Sequence, residues 1–205
     1  YGMPKYVDKI KNNLIDIKED GSFFLDMSYF DYCTGLTMTN KKFADLFDGP
    51  PRDPESELSQ KEMDLAASIQ VVTEEIVLKL ANRIRIETGL KNLCLAGGVA
   101  LNCVANGKLL KSGIFDDVWV QPAAGDAGGA LGAALAIHHM MLDNPRKDIN
   151  QDNMRGSYLG PKFSEAETSK VLDRLGAIHN KLSEDGLFET AAEALASGKA
   201  IGWMN

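Results

Sequence analysis

Two short apolar runs, each followed by a glycine turn and a helix-forming stretch, constrain the fold of this chain more than any other feature. The runs are 93–95 and 118–120, and the turns that follow them are Gly97-Gly98 and Gly125-Asp126. This alternation of strand and helix predicts parallel strands whose carboxyl ends face one cleft. At that cleft, bare backbone and the N–H groups of a helix N-terminus form a site for an anion. The sequence therefore predicts the α/β class.

A long helix precedes these two units. Ser59 and Glu62 form a capping box, and apolar residues recur every three or four positions as far as Gly89. We expect this helix to be well buried and to act as scaffold. The other predicted elements are a helix over 4–14, a hairpin of strands 15–18 and 22–27, a helix over 40–47, a proline-rich loop over 49–58, strand 92–96, helix 99–111, strand 117–121, helix 127–142, a polar loop over 143–157, helix 164–175, strand 177–182, helix 185–197 and strand 199–204.

Charge and composition exclude several classes of function. The net charge of −7 and the pI near 5.0 provide no electrostatic footprint for nonspecific binding to nucleic acid. No apolar run in the sequence approaches the roughly 18 residues of a membrane span. Cys94 and Cys103 lie in apolar surroundings, and we interpret them as reduced core residues of a cytoplasmic protein. A small anionic ligand, which needs only local N–H groups and one or two cations, stays compatible with this composition.

Asp126 is the strongest candidate for chemistry. It directly follows a predicted strand, between Gly125 and Ala127, where its side chain would project into the cleft. A carboxylate beside a helix N-terminus is stabilised as an anion, and it is a suitable ligand for a hard or borderline metal ion. The alternative is a plain helix N-cap, and the spacing leaves both interpretations open.

Gly97, Gly98 and Asn102 are candidates for binding phosphate or a sugar. The two glycines could let backbone N–H groups cradle phosphate, or they could form a tight turn without a ligand. Asn102 could bind a sugar hydroxyl or a phosphate, or it could bond to local backbone. The sequence contains no motif of serine hydrolases, HExxH zinc proteases or Walker-type phosphate loops.

The segments NLCLAGGVALNCVANGKLL and FDDVWVQPAAGDAGGALGAAL closely resemble the O-carbamoyltransferases of the nodulation and antibiotic-tailoring type. These enzymes carry out nebramycin, cephamycin and Nod-factor carbamoylation. The likeness extends over essentially the whole chain and includes residues 1–4, 38–43, 49–52 and 156–161. The motifs GGVALN and QPAAGDAGGALGAAL are long and specific, which argues against accidental similarity.

The resemblance implies an actin/Hsp70/sugar-kinase-like (ASKHA) transferase domain joined to a YrdC-like α+β domain. On this basis, 1–145 is the C-terminal half of the ASKHA-like domain, 146–160 is a linker, and 161–205 begins the YrdC-like domain. We therefore expect the chain to be a fragment of a longer enzyme, with the family's paired metal-binding histidines before Tyr1 and its arginine-rich motif after Asn205. The fragment alone should have no turnover and should bind metal weakly, because a single ligand holds a metal poorly.

The resemblance also implies a reaction and its site. Enzymes of this kind use ATP and carbamoyl phosphate to make carbamoyl-adenylate, and they pass the carbamoyl group to an acceptor hydroxyl. Gly2 corresponds to a glycine that contacts the nucleotide or ribose, and Asn102 to an asparagine that contacts the adenylate. Gly97 and Gly98 belong to the nucleotide-binding turn. Asp126 completes a site for a divalent metal, which is iron, manganese or magnesium.

The resemblance is compatible with more than one acceptor, oligomeric state and activity. No catalytic base is assigned, the acceptor could be a sugar, an aminoglycoside or a polyketide, and a homodimer is not excluded. A tRNA threonylcarbamoyl transferase or a sugar-kinase-like enzyme of the same fold is the alternative activity, although the GDAGGALGAAL and GSYLGP segments favour the O-carbamoyl class. A non-catalytic nucleotide-binding or scaffold module is the alternative of a different kind. In that case Gly97-Gly98 would be a structural turn and Asp126 a cap.

Overall fold

The computed structural model describes residues 1–146, 152 and 154–204, and the chain divides into two units, Tyr1–Ser157 and Tyr158–Asn205. The first unit contains helices and two small sheets, so the chain is mixed α/β, as the sequence predicts. The division falls inside the predicted linker 146–160. Residues 147–151 and 153, which belong to this linker and to the predicted loop 143–157, lie outside the described residues. The assignment of the two units to ASKHA-like and YrdC-like domains stays a prediction.

Most helices and strands lie within a few residues of their predicted positions. The predicted helix 127–142 continues as a π-helix over Ile137–Met141, and a short 3-10 turn, Gly98–Leu101, precedes the helix predicted over 99–111. The elements are α1 (Val7–Asn13), β1 (Ile15–Ile17), β2 (Phe23–Leu25), α2 (Lys41–Leu46), α3 (Gln60–Thr88), β3 (Asn92–Leu95), α4 (Cys103–Lys111), β4 (Asp117–Val120), α5 (Ala127–Ala136), α6 (Glu165–Arg174) and α7 (Glu184–Ala196).

Two predicted strands are wrong. Residues 177–182 and 199–204 are irregular segments rather than strands. A strand is stable only when its backbone groups bond to a neighbour, and the described residues of the second unit contain no paired strand. The helices of this unit follow the prediction, since Ser164 and Glu167 form a capping box at the start of α6.

The long helix α3 begins and ends as its sequence dictates. The Ser59 hydroxyl caps the first turn, and the Glu62 carboxylate accepts a hydrogen bond from the Ser59 N–H at 2.8 Å. Gly89 ends the helix with φ of 65°, a left-handed conformation that favours glycine. None of the helices in the described part of the chain is long and apolar enough to cross a membrane.

The buried face of α3 differs from the predicted apolar stripe. Ile69, Leu80 and Ile84 are exposed, whereas the buried residues of α3 include three polar ones, Asp64, Ser68 and Glu74. Helices α1 and α4 pack on α3, and the buried polar side chains bind groups of the segments beside them. The expectation that this helix is well buried is therefore wrong for part of its apolar stripe. Hydrophobic periodicity predicts a helix, but it does not show which of the apolar residues pack against another segment.

The two predicted strand–turn–helix units form one parallel pair. Strands β3 and β4 pair in parallel over four residues each, and α4 connects them. A core of Ala81, Leu93, Leu109 and Phe115 joins α3, β3 and α4, and Leu109 is fully buried. Burial of these apolar side chains holds the carboxyl ends of β3 and β4 at a defined place relative to α3.

The prediction that Cys94 and Cys103 are core residues is wrong. Both thiols are exposed and free of disulfides. Successive strand side chains point to opposite faces, so Cys94 lies on the face opposite the buried Leu93. It pairs across the sheet with Trp119, which is also exposed. Apolar neighbours in sequence therefore did not indicate burial at this position.

A buried carboxylate anchors the N-terminal segment to α3. Asp64 is fully buried and accepts hydrogen bonds from the Met3 N–H at 2.7 Å and from Gln60 Nε2 at 2.8 Å. Its second oxygen lies 2.5 Å from the Lys5 ammonium. The hydrogen bond from Lys5, followed by those from Met3 and Gln60, lowers the pKa of Asp64 to about 2.

This anchor predicts a specific dependence of stability on acid. The pKa of Asp64 is lower in the folded than in the unfolded protein, so the carboxylate stabilises the fold above the ordinary pKa of 3.8. That contribution is lost as the pH falls from about 4 toward 2. In thermal unfolding over this range, Asp64→Asn should show a weaker pH dependence than the wild type, whereas Asp8→Asn, at an exposed position of α1, should not. Equal slopes for Asp64→Asn and the wild type would contradict the prediction.

Candidate functional site

The two glycine turns meet at the carboxyl edge of the β3–β4 pair. Both strands end at this edge, since they are parallel and their last residues lie opposite each other. Beyond the edge, the Gly97 N–H donates a hydrogen bond to the Ala124 carbonyl at 2.8 Å. An added Cβ on Gly125 would lie 3.8 Å from the Leu101 side chain. The structure therefore places the first turn directly beside the second, as the alternating sequence pattern predicts.

The two glycines of the first turn have different roles in the fold. Gly97 has φ of 99° and ψ of 162°, a region that is essentially restricted to glycine. Gly98 has no such requirement, and an added Cβ there meets no atom of the described residues within 4 Å. Both glycines are exposed. The backbone conformation of the turn thus explains why residue 97 is a glycine. Gly98 leaves open space beside the backbone, as the approach of a ligand requires.

Asp126 stands at the head of α5, next to this turn. Its backbone is already helical, with φ of −57° and ψ of −36°, and its side chain makes no capping hydrogen bond with the described residues. The side chain is exposed. Gly128 closes the turn so tightly that an added Cβ would lie 2.0 Å from the Ala123 carbonyl oxygen. The interpretation of Asp126 as a plain N-cap therefore lacks its defining hydrogen bond, and the carboxylate remains accessible to a cation.

Asn102 begins α4 and is also held from α3. Its Oδ1 accepts a hydrogen bond from the Ala105 N–H at 3.1 Å, which is the local backbone bond that the sequence left as an alternative. The same oxygen accepts a bond from Gln70 Nε2 at 3.1 Å, and Asn102 Nδ2 donates to Gln70 Oε1 at 2.9 Å. The side chain of Asn102 is thus fixed by three hydrogen bonds at the start of the helix that follows the first glycine turn.

A buried carboxylate lies behind Gln70. The Oε1 of Glu74 accepts a hydrogen bond from Gln70 Nε2 at 2.9 Å, and its Oε2 forms an ion pair with Lys108 of α4. Burial by itself raises the pKa of Glu74, but the hydrogen bonds from Lys108 and Gln70, together with the Lys108 charge, outweigh burial and lower the pKa. Sequence reasoning missed Gln70 and Glu74 because it treated α3 as scaffold. Their spacing of four residues, which places both side chains on the same face of α3, was the available signal.

Gly2 lies against a different part of α3. An added Cβ on Gly2 would lie 1.9 Å from the Met63 carbonyl oxygen, so close packing of backbone on backbone explains this glycine. Asn102 contacts α3 at Gln70, which is about 10 Å further along the helix axis than Met63. Gly2 is therefore not part of the paired turns, and its contact with a nucleotide stays a prediction.

The described residues form no complete metal site. Among them, no three His, Cys, Asp or Glu side chains lie together in a way that could hold a metal ion. His138 and His139 lie in the π-helix that follows α5, in ring contact with each other. Adjacent helix positions point about 100° apart, so the two side chains do not converge on one metal ion. The role of Asp126 as a metal ligand therefore stays a prediction.

The parallel strand pair and its adjoining glycine turns thus form an α/β unit with an exposed glycine turn and one accessible carboxylate. The family model described as Carbamoyltransferase N-terminus matches residues 1–135, a range that includes both turns, Asn102 and Asp126. The chain belongs to this carbamoyltransferase family.

Individual proteins are similar to this chain over different parts of its length. The protein sll1178 of Synechocystis sp. is 58% identical over 206 residues, which cover 100% of this chain and 34% of that protein. Nodulation protein NolO of Bradyrhizobium diazoefficiens is 40% identical over 147 residues, covering 71% of this chain and 26% of the relative. Nodulation protein U of the same organism is 41% identical over 75 residues, covering 35% and 13%. The chain thus spans about a third or less of the length of these relatives.

Proposed function

We propose that this chain is part of an O-carbamoyltransferase. The enzyme would convert carbamoyl phosphate, ATP and water to carbamoyl-adenylate, inorganic phosphate and pyrophosphate. It would then transfer the carbamoyl group to a hydroxyl of an acceptor molecule, with AMP as the leaving group. Membership of the carbamoyltransferase family supports carbamoyl transfer. The observation that carries the site is the contact between the Gly97 N–H and the Ala124 carbonyl, because it joins the two turns into one anion-binding edge.

The residues of this edge divide the work of binding. The Gly98 N–H and backbone N–H groups at the start of α4 bind the phosphate of the nucleotide, and Asn102 donates a hydrogen bond to the same ligand. The Gly97 N–H is used by its bond to the Ala124 carbonyl, which holds the turn in place. Asp126 supplies one ligand to a divalent cation, iron, manganese or magnesium, together with ligands from outside this chain. Such a cation, when bound, stabilises negative charge that develops on the carbonyl oxygen of the carbamoyl group.

The proposal includes the architecture of the whole enzyme. Residues 1–145 would form the C-terminal half of an ASKHA-like domain, and 161–205 the start of a YrdC-like domain. The parallel β3–β4 pair with α4 and α5 is compatible with the first of these assignments. The chain alone would have no turnover, since Asp126 cannot hold the metal as a single ligand.

The proposal is tested by assaying the full-length protein with ATP, with and without carbamoyl phosphate. We expect pyrophosphate release from ATP that depends on carbamoyl phosphate, because adenylation breaks the bond between the α- and β-phosphates. Threonylcarbamoyl transfer to tRNA, or phosphorylation of a sugar without carbamoyl phosphate, would instead assign one of the other activities of the fold. A protein that binds neither nucleotide nor divalent metal would be a scaffold module, and the proposal would be wrong.

A further inference from the structure

We propose that Gln70 and Glu74 of α3 orient the amide of Asn102 so that it offers one N–H donor, and no acceptor, to the bound nucleotide. The inference rests on the proposed function, which makes Asn102 a contact of the nucleotide. It makes Gln70 and Glu74 positioning residues, and it requires the ligand atom at Asn102 to accept a hydrogen bond.

The orientation of both amides follows from the groups at the two ends of this series of hydrogen bonds, the Ala105 N–H and the Glu74 carboxylate. The Ala105 N–H can only donate, so Asn102 must turn its Oδ1 toward it. The Glu74 carboxylate, when ionised, can only accept, so Gln70 must turn its Nε2 toward it. Between these ends the two amides pair head to tail, at 3.1 and 2.9 Å.

These contacts determine what Asn102 has left for a ligand. Its Oδ1 has two lone pairs, which the Ala105 N–H and Gln70 Nε2 occupy. Its Nδ2 has two N–H groups, of which the bond to Gln70 uses one. The remaining capacity is a single N–H. An N–H donor suits a phosphate oxygen or the lone pair of a ribose oxygen, and it cannot accept the proton of a hydroxyl.

Lys108 holds Glu74, the last group in this series of hydrogen bonds, in place. Glu74 is 5% exposed, and the Lys108 ammonium pairs with the oxygen that Gln70 leaves unused. A charged acceptor makes the stronger kind of hydrogen bond, so the carboxylate holds Gln70 more firmly than a neutral group would. Lys108 belongs to α4, the helix that Asn102 begins, and the contacts therefore close a loop between α3 and α4.

The test is a double-mutant cycle on the affinity of the full-length protein for AMP, measured by calorimetry. Asn102→Ala and Gln70→Met should each weaken AMP binding by about tenfold. The double variant should bind AMP no more weakly than Asn102→Ala alone, because Gln70 acts through Asn102. Glu75→Gln is the matched control on the next position of α3, where the carboxylate pairs with Lys11 instead, and it should leave the affinity unchanged.

Asn102→Asp tests the claim about the donor. This variant keeps an oxygen for the Ala105 N–H but replaces the remaining N–H with an acceptor, so it should bind AMP more weakly than Asn102→Ala. Repeating the titration with adenosine, which lacks the phosphate, locates the acceptor atom. A loss seen with AMP and not with adenosine assigns the acceptor to the phosphate, and a loss with both assigns it to the nucleoside.

Four outcomes decide the inference. Additive losses in the double variant would overturn it, as would unchanged AMP binding by Gln70→Met when Asn102→Ala binds weakly. AMP binding by Asn102→Asp that equals the wild type would also overturn it. If Asn102→Ala itself leaves AMP binding unchanged, the nucleotide contact of the proposed function fails, and the inference fails with it. Glu74→Gln provides a milder variant should Gln70→Met unfold. It should weaken AMP binding, and combined with Asn102→Ala it should cause no further loss.

Discussion

Replacing Asp126 by alanine in the full-length protein should reduce carbamoyl transfer by at least about a hundredfold, the loss typical when one group that stabilises developing charge is removed. The carboxylate is exposed at the head of α5, directly after the turn that the Gly97 N–H contacts, and it makes no capping bond with the described residues. Its removal should therefore take away a metal ligand without unfolding the helix. Steady-state transfer and the content of bound metal, measured by mass spectrometry, should fall together.

A matched control lies on the preceding strand. Asp117 is the first residue of β4, at the end opposite the proposed site, and it is also exposed. Asp117→Ala should leave transfer and bound metal close to those of the wild type. Full transfer by Asp126→Ala would remove this residue from the mechanism, and loss of transfer with unchanged metal content would give it a role other than metal binding.

The adjacent glycines of the first turn should respond differently to the same small substitution. Gly97→Ala places a side chain in a conformation that costs roughly 1–3 kcal/mol for residues other than glycine. A backbone shift at residue 97 that relieves this strain would also weaken the hydrogen bond from its N–H to the Ala124 carbonyl. Both the free energy of unfolding and the affinity for nucleotide should therefore fall. Chemical denaturation and calorimetric titration of the full-length protein measure the two quantities.

Gly98→Ala separates a cradle for phosphate from a structural turn. The added methyl group meets no atom of the described residues within 4 Å, so the free energy of unfolding should change by less than about 0.5 kcal/mol. The affinity for nucleotide should nevertheless fall, because the methyl group occupies the space through which phosphate approaches the backbone. Unchanged nucleotide affinity in Gly98→Ala would show that Gly97-Gly98 is a turn without a ligand.

Local patterns in the sequence determined a large part of this fold. The capping box at Ser59 and the glycine at 89 define both ends of α3, because caps satisfy the backbone groups that a helix end leaves unpaired. The strand–turn–helix pattern likewise predicted that β3 and β4 are parallel and that their two turns meet, since a helical connection between neighbouring strands allows little else. The patterns that predict these features, a cap, a turn or the start of a helix, each involve residues a few positions apart.

Only the tertiary structure decided which side chains meet. Asn102 pairs with Gln70 across 32 positions of sequence, and Asp64 binds the Met3 N–H across 61. The exposure of Cys94 and the buried polar face of α3 were decided in the same way. Hydrophobic periodicity specifies which residues can be buried, but the neighbours that bury them, and the polar groups that those neighbours bring, depend on how distant elements pack. For that reason the turns and Asp126 were found from the sequence, whereas the side chains that hold Asn102 were not.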